Sequence, residues 1–347
     1  MSEPSLAPQG CPPAPPPNII LGQMLWGALL QRSLCVATKL GVPDLLAQKA
    51  QTAAELAGQT GAHEPSLYRL LRTLSSAGIF SETADHRFEL TPISQLLCGD
   101  KPGSMRDFAV MLAEEWQWRD WGELMHCIMT GGTGQEKVFG MDSFEFFTKN
   151  PESGAVFNRA MTALSAAVVP AIVEAYDFSR VRQVVEIAGG HGLLLAGVLK
   201  ASAATRGVLF DLPSVTAGAK ELLRREGVED RVELASGDFF QAVPAGADLY
   251  TMKHIIHDWD DERSITILRN IRSAMDPAGK VLIIEMVVPE GNTPSASKFL
   301  DLQMLVMEGG KERTEEEYRS LYAAAGFKLT RMIATKSPFS LIEGSPA

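Results

Sequence analysis

The sequence predicts an α/β protein in which a helical N-terminal part precedes an open, largely parallel sheet. Before residue 180, apolar residues recur at helical spacing, which predicts helices. From residue 181 onward, short apolar runs without polar alternation alternate with helical stretches, as in strands buried on both faces of a parallel sheet. The five predicted strands are residues 183–187, 207–210, 231–234, 248–252 and 280–287.

The composition indicates a globular chain of about two domains. Of the 347 residues, 46% are hydrophobic and 21% are charged, which excludes wholesale disorder and collagen-like repeats. The formal net charge of −10 argues against a general nucleic-acid binder, because phosphate binding relies on clustered Lys and Arg. The most apolar runs, such as 166–173 and 193–199, are shorter than the roughly 20 residues that cross a bilayer, so we expect no membrane partner.

The cysteines predict reduced thiols and a cytoplasmic protein. Cys11, Cys35, Cys98 and Cys127 are scattered, whereas a disulfide framework or a zinc ribbon needs paired spacing. No Lys or Arg precedes Arg32, so the basic segment of a secretory signal is missing.

The first 50 residues predict a tail and an interface. Residues 1–17 contain seven prolines and predict an extended, disordered tail. Residues 19–49 predict helices, with Gly41 to Pro43 ending one and Asp44 capping the next. The first of these helices is apolar around most of its circumference, so it must be buried in a core or against another chain. A dimer interface is our preferred interpretation.

Residues 52–90 predict a winged helix-turn-helix. A capping box of Thr52 and Glu55 begins the first helix. Residues 58–61 form the turn, a second helix begins at Glu64 and ends at Gly78, and a hairpin forms the wing. Such a unit often binds DNA, but residues 18–110 contain eight basic and eight acidic residues and are neutral. A structural, dimerising role is therefore favoured.

Residues 105–178 predict several helices, including a long apolar one over 156–176. Trp116, Trp118 and Trp121 lie within six positions. Such an aromatic cluster is either core or the wall of a pocket for a flat ligand, and both interpretations remain open. The predicted domains are 1–17, 18–110, 111–180 and 181–347.

Three successive strand ends carry residues suited to a nucleoside. Gly189, Gly190 and Gly192 follow the first strand, and glycine lets the backbone approach a ligand closely. Asp211 ends the second strand and is placed to accept hydrogen bonds from ribose hydroxyls. Asp238, followed by two phenylalanines, comes after the third and could read an adenine.

Each acid alone could equally cap a helix or sit in a turn. Together the three features favour an adenosine cofactor without phosphates, and S-adenosylmethionine fits better than NAD because the loop is not GxGxxG.

The fourth strand runs into a candidate general base, His257. A neutral imidazole takes protons near neutral pH, and a carboxylate orients it. Glu285 is a candidate because a glutamate within a buried strand is costly without a partner. Glu312 is either a second partner or a solvated charge. His254 and His257 are spaced as metal ligands can be, but nothing nearby completes a site, so no metal is expected.

These motifs resemble those of the dimeric, metal-independent, S-adenosylmethionine-dependent O-methyltransferases, which include plant caffeate and flavonoid, acetylserotonin and bacterial natural-product tailoring enzymes. The resemblance covers about residues 19–342. It rests on VVEIAGGHG, FDLPSV, GDFF, MKHIIHDWDDE and GGKERTEEEYRSLYAAAGF. It implies a Rossmann-like methyltransferase domain with an N-terminal helical winged-helix dimerisation domain, and a homodimer in which each subunit helps to close its partner's pocket.

The resemblance also implies roles for individual residues. His257 would be the general base, bracketed by Glu285 and Glu312. The cofactor would be bound by Glu186, Gly189, Gly190, Asp211, Leu212, Gly237, Asp238, Phe239 and Lys253. The acceptor would be bound by Trp116, Phe157, Asn158, Met161, Asp258, Phe299, Gln303, Met304 and Met307. Ala188 departs from the glycine that is common at its position, and Glu186 from the common aspartate.

The predicted function is methylation of a phenolic or enolic hydroxyl on a small aromatic or polyketide-like natural product, with S-adenosylhomocysteine as the second product. One alternative is a hydroxylase or decarboxylase on the same scaffold. Another is a winged-helix regulator that senses a small molecule. Acceptor positions vary freely in this family, so they identify no particular acceptor.

Overall fold

The computed structural model describes residues 15–99, 101 and 103–347. It divides into two compact units between Leu97 and Cys98. Most of the predicted 1–17 tail lies outside the described residues, and Pro17 begins a helix. The predicted boundaries at residues 110 and 180 stay predictions.

The N-terminal unit is a small winged helix. Its strands form one sheet in the order β1-β3-β2, and Leu56, Leu71, Leu74 and Phe88 are buried beneath it. Its elements are α1 (Pro17–Lys39), α2 (Val42–Leu46), β1 (Gln51–Thr52), α3 (Ala53–Thr60), α4 (Glu64–Ser76), β2 (Phe80–Glu82) and β3 (Arg87–Leu90).

The capping box is present. The N–H of Glu55 donates to Thr52 Oγ1 at 3.2 Å, and the N–H of Thr52 donates to Glu55 Oε2 at 2.8 Å. Two local predictions are wrong. Gly41, with φ +74°, caps α2 instead of Asp44, because Pro43 fits the first helical turn, where its missing N–H costs no hydrogen bond. The helix α3 also continues through Gly58, so the turn begins only at Gly61.

Among the described residues, two helices are apolar enough by length and composition alone to cross a membrane, namely α1 and α10 (Pro151–Ala175). The prediction from uninterrupted apolar runs did not consider helices interrupted by single polar residues, and the absence of a membrane partner stays an expectation. Only 6% of the apolar window of α1 is buried within the chain. The side chains of Met24, Leu25 and Trp26 are exposed, so α1 has apolar surface available for another molecule.

The C-terminal unit contains a seven-stranded sheet with helices on both faces. Its strands are β4 (Gln183–Ile187), β5 (Arg206–Asp211), β6 (Val232–Ser236), β7 (Leu249–Lys253), β8 (Lys280–Glu285), β9 (Phe327–Ala334) and β10 (Ser340–Pro346). Its remaining helices are α5 (Arg106–Leu112), α6 (Glu115–Gly122), α7 (Leu124–Thr130), α8 (Gly134–Phe139), α9 (Ser143–Lys149), α11 (Leu193–Ala201), α12 (Pro213–Arg225), α13 (Asp261–Ala274), α14 (Ala296–Met307) and α15 (Glu315–Ala324).

The strand order β6-β5-β4-β7-β8-β10-β9 sets where a ligand binds. Strands β4 to β8 are parallel, and β10 is antiparallel to both β8 and β9. The chain leaves β4 in one direction and returns to its other side at β7. In open α/β sheets, ligands bind at this kind of reversal, outside the carboxyl ends of the strands.

All five predicted strands are present, with two differences. The strand β6 is only half-buried, because it lies at the edge of the sheet, so the prediction of burial on both faces is wrong there. The hairpin of β9 and β10 was not predicted, since β9 alternates buried with exposed residues such as Lys328 and Thr330 and lacks a continuous apolar run.

Candidate active site

The turn after β7 carries His257, and Glu285 on the neighbouring strand hydrogen-bonds to the backbone of this turn. Residues Ile256–Asp258 form a single 3-10 turn. Glu285 ends the neighbouring strand β8, and its Oε1 accepts the N–H groups of Ile255 and Ile256 at 3.0 and 3.1 Å. This explains why the strand tolerates a fully buried glutamate: its carboxylate satisfies two backbone donors that the turn would otherwise leave unpaired.

The imidazole of His257 is enclosed by three carboxyl groups and is only 4% exposed. Its Nδ1 lies 2.5 Å from Glu312 Oε1 and 3.5 Å from Glu285 Oε2. Its Nε2 lies 3.3 Å from Asp258 Oδ1. The structure thus brings together His257, Glu285 and Glu312, and it decides between the two interpretations of Glu312, which is a buried partner of the histidine rather than a solvated charge.

Burial is the largest cause of the pKa shifts of His257 and of the three carboxyl groups around it. It lowers the pKa of His257, against the attraction of Glu285. It raises the pKa of Glu285 to about 7 and that of Glu312 to about 8. The pKa of Asp258 is raised well above its usual range, by burial and by neighbouring acids. A neutral imidazole is therefore favoured near neutral pH, and this is the form that accepts a proton.

His254 stacks on the imidazole of His257. The two rings are 4.5 Å apart with an interplanar angle of 24°. Ligand atoms of His254, His257 and Glu285 lie within 4.8 Å of one another. Metal–imidazole bonds lie in the plane of the ring, and one ion cannot lie in two nearly parallel planes this far apart. The geometry therefore does not favour a metal shared by both histidines.

The glycine loop after β4 packs too closely for a side chain at Gly189. A Cβ on Gly189 would lie 2.5 Å from Leu209 Cδ1. The N–H of Gly190 donates to Asp211 Oδ2 at 2.8 Å, and the N–H of Leu212 donates to Asp211 Oδ1 at 2.7 Å. The predicted cofactor residues Gly190, Asp211 and Leu212 thus meet at the carboxyl ends of β4 and β5.

Two charged groups flank this loop. Glu186 is buried, accepts the N–H of Leu195 at 3.0 Å, and has a pKa raised by burial to about 8. Lys253 ends β7 near Glu186, and burial lowers its pKa. In the described part of the chain, its ammonium has no hydrogen-bond partner. A half-buried ammonium without such a partner, beside the glycine loop, fits a polar, adenosine-containing group.

The third cofactor segment follows β6. A Cβ on Gly237 would lie 2.9 Å from the ring of Phe210. Asp238 is exposed, and its Oδ1 accepts the N–H of Phe240 at 2.8 Å. The ring of Phe239 packs against Phe240 at 4.8 Å. Of the predicted cofactor residues, Leu212 is the exposed apolar one, at the start of α12.

The predicted acceptor residues fall into three groups. Trp116 and Met307 are buried in a helical core cluster, against which Phe157 and Met161 pack, and Met304 is buried as well. Gln303 and Asn158 are half-buried polar residues. Phe299 is 78% exposed in this chain. The core interpretation therefore holds for Trp116, and its role as an acceptor contact stays a prediction, as do those of the other residues.

Several buried charged residues escaped the sequence analysis, among them Arg313, Asp120 and Glu343. Arg313 is fully buried, and the only signal was its place in the GGKER motif. Asp120 is fully buried, neither of its carboxylate oxygens has a partner, and burial raises its pKa to about 7. It shares an inner helical face with Trp116 and Gln117, and this spacing could have revealed its burial.

Comparisons with known proteins agree with this arrangement. Residues 121–328 match the model of the O-methyltransferase domain, and residues 23–100 match the O-methyltransferase dimerisation domain. The phenazine O-methyltransferase PhzM of Lysobacter antibioticus is 46% identical over 96% of this chain and 97% of that protein.

Two solved structures extend the similarity. The mitomycin 7-O-methyltransferase MmcR has a TM-score of 0.90 at 38% identity and covers 95% of this chain and 98% of its own. The O-methyltransferase NcsB1 from neocarzinostatin biosynthesis, solved with S-adenosylmethionine and 2-hydroxy-5-methyl naphthoic acid, has a TM-score of 0.81 at 31% identity over 91% of this chain and 96% of its own.

A glycine loop at the reversal point of a parallel sheet, together with a buried histidine, is typical of a cofactor-dependent group-transfer enzyme of the Rossmann-like class. The chain belongs to the O-methyltransferase family. It is an O-methyltransferase that uses S-adenosylmethionine, as the sequence predicted.

Proposed function

We propose that the chain methylates a phenolic or enolic hydroxyl of a small, flat natural product and that His257 removes the hydroxyl proton. The observation that carries this proposal is the 2.5 Å contact between His257 Nδ1 and Glu312 Oε1 at a nearly buried imidazole. For Nε2 to accept a proton, Nδ1 must carry the ring hydrogen and donate it to Glu312. That bond fixes both the tautomer and the direction of the ring.

The residues of this chain supply position and proton transfer. When bound, S-adenosylmethionine supplies a methyl group on a positively charged sulfur. His257 Nε2 takes the proton as the acceptor oxygen attacks, and Glu312 and Glu285 stabilise the imidazolium that forms. Holding the acceptor in line can supply roughly 7–11 kcal/mol of the barrier reduction, and base catalysis about 10²–10⁴-fold in rate.

The cofactor residues in this proposal surround the reversal point. Asp211 would accept hydrogen bonds from the ribose, Asp238 and Phe239 would bind the adenine, and Lys253 would lie near it. The glycines at 189, 190 and 237 leave room for close backbone approach, and Glu186 and Leu212 complete the walls. The ammonium of Lys253, which has no hydrogen-bond partner in the described part of the chain, supports this assignment.

The side chain of Gln303 supports a methyl-accepting substrate that also carries a hydrogen-bond-accepting atom. Trp121 Nε1 donates to Gln303 Oε1 at 2.7 Å, and Gln117 Nε2 donates to the same oxygen at 3.0 Å. An indole nitrogen only donates, so the atom facing it must be the amide oxygen. Gln303 Nε2 is left as a donor, suited to a carbonyl, carboxylate or ring nitrogen on the acceptor. The naphthoic acid of NcsB1 carries such a group.

The test uses a hydroxyphenazine and 2-hydroxy-5-methyl naphthoic acid as probe acceptors with the full-length protein. We expect a product heavier by one CH₂ on oxygen, identified by mass spectrometry and NMR. A product heavier by one oxygen, lighter by CO₂, or methylated on nitrogen would contradict the proposal. The replacement Gln303→Leu should raise KM for acceptors with such a group and leave the affinity for S-adenosylmethionine unchanged.

Replacing the base separates chemistry from binding. We expect His257→Gln to lower kcat by about 10²-fold or more, since base catalysis contributes about 10²–10⁴-fold, with S-adenosylmethionine affinity within a factor of two by calorimetry. The exposed His86→Gln is the control and should leave both unchanged. Full activity in His257→Gln, or loss of cofactor binding, would refute the role of His257.

Partners and location complete the proposal. The dimerisation-domain match supports a homodimer formed through the N-terminal unit. Within the described residues, the buried thiols of Cys35 and Cys127 form no disulfide, and this supports a reducing cytoplasmic location. The absence of nucleic-acid and membrane partners remains an expectation.

A further inference from the structure

A fully buried guanidinium holds the backbone of the catalytic turn. Arg313 follows Glu312 directly, and it has no exposed surface. Its Nη1 donates to the carbonyl of Ile256 at 3.0 Å, and its Nη2 donates to the carbonyl of Trp259 at 2.9 Å. These carbonyls belong to the residues immediately before and after His257 and Asp258.

The remaining donors of Arg313 anchor it to the start of α13. Nε and Nη2 donate to Asp261 Oδ1 at 3.0 and 2.8 Å. Nη2 also reaches Ser264 Oγ at 3.3 Å, and Nη1 reaches the carbonyl of Lys311 at 3.3 Å. Only a planar fork with five donors satisfies partners in so many directions, whereas a lysine ammonium acts from a single point.

The turn is therefore held by three side chains, each on a different part. Glu285 accepts its N–H groups, Glu312 contacts the imidazole, and Arg313 donates to its carbonyls. Two of these side chains are consecutive in sequence, so a single segment fixes both the ring and its backbone. A shift of this segment would move His257 Nε2.

We propose that Arg313 is a positioning residue for the methyl-transfer step: it fixes the 256–259 turn so that His257 Nε2 stays directed at the acceptor hydroxyl. The inference rests on the proposed role of His257 as the base.

Arg313 also acts through its charge. The charged and titratable groups that face His257 are Glu285 on β8, Glu312 and Arg313 after α14, and Lys253, His254 and Asp258 on its own segment. A nearby cation disfavours the imidazolium, so its removal raises the pKa of His257. The acid limb of the kcat profile should then move to higher pH in Arg313→Gln and stay in place in Arg313→Lys.

The experiment compares Arg313→Lys and Arg313→Gln with Arg319→Lys, a control at an exposed arginine paired with Glu315. We expect kcat to fall about 10- to 100-fold in Arg313→Lys, because a displacement of ~1 Å can cost about 10²-fold. The affinity for S-adenosylmethionine should stay within a factor of two, and Arg319→Lys should match the wild type. An unchanged kcat in Arg313→Lys, or an equal fall in kcat, cofactor affinity and melting temperature, would overturn the proposal.

A readout independent of turnover separates this inference from the proposed base. The His257 Nδ1 proton that contacts Glu312 should give a low-field NMR signal, assigned by its loss in His257→Gln. We expect this signal to shift or broaden in Arg313→Lys, even if His257→Gln retains activity and the base assignment fails. If Arg313→Lys does not fold, Asp261→Asn takes its place, with a smaller fall in kcat and the same change in signal. An unaltered signal in whichever variant is measured would overturn the role of Arg313.

Discussion

Four titratable groups occupy the few ångströms around His257, and burial decides their state. Burial outweighs the attraction of His257 at Glu285 and that of Arg313 at Glu312, so the pKa of each carboxyl group rises. The sequence indicated Glu285 because a charge within an apolar strand needs a partner. It could not show that Glu312, 27 residues downstream in a polar segment, packs against the same ring.

The raised pKa of Glu285 makes a prediction about stability. Its pKa is about 7 in the folded chain, compared with 4.5 for the ordinary group. The protonated form is favoured by folding, so its contribution to the free energy of unfolding is fully present below pH 4.5 and is lost as pH rises through 7. With about 1.4 kcal/mol per pKa unit, the loss is at most about 3.5 kcal/mol.

The variant Glu285→Gln keeps the neutral form at every pH. Denaturant unfolding of both proteins should therefore show that the free energy of unfolding of Glu285→Gln rises relative to that of the wild type between pH 4.5 and 7. The exposed Glu316→Gln serves as the control and should follow the wild type throughout. Parallel curves for Glu285→Gln and the wild type would rule out this linkage.

At the scale of elements, two loops depend on glycines that leave no space for a methyl group. A Cβ on Gly310 would lie 2.0 Å from the carbonyl oxygen of His257, and a Cβ on Gly189 would lie 2.6 Å from Glu186 Cδ. Local glycine patterns were visible in the sequence, but the atoms that each approaches come from distant segments. Only Gly189 was assigned a role in advance.

Alanine replacements at these two glycines should affect turnover and cofactor binding separately. Gly310→Ala must displace the catalytic turn, so we expect kcat to fall while calorimetry shows retained S-adenosylmethionine affinity. Gly189→Ala must displace the cofactor loop, so we expect the affinity itself to fall. Gly58→Ala, in an open position within α3, should instead raise stability by about 0.5–1 kcal/mol. The assignment of the two loops fails if Gly310→Ala and Gly189→Ala show the same defect.

At the scale of the whole molecule, the exposed apolar side chains of α1 bear on whether the chain forms a dimer. The side chains of Met24, Leu25 and Trp26 on α1 are about 70% exposed, and they lie within the segment that matches the dimerisation domain. Apolar exposure of this extent on one helix is typical of an interface. The sequence predicted the interface from the same surplus of apolar residues.

We expect Leu25→Glu to weaken the dimer, because a buried, unpaired carboxylate is costly. Light scattering coupled to size exclusion should show a lower mass at micromolar concentration. Gln23→Glu adds the same charge on the same helix without removing apolar surface, and it should assemble as the wild type does. An unchanged mass for Leu25→Glu would place the interface elsewhere.

The sequence by itself determined the parallel sheet, the winged helix and the glycine loop, and it predicted His257 as the base, because these follow from local periodicity, capping and short motifs. The tertiary structure alone decided that Glu312 contacts His257, that Arg313 donates to the carbonyls of Ile256 and Trp259, and that β9 and β10 extend the sheet. Those features join segments separated by tens of residues. Their contacts depend on how the chain packs, and packing leaves no signature in local spacing.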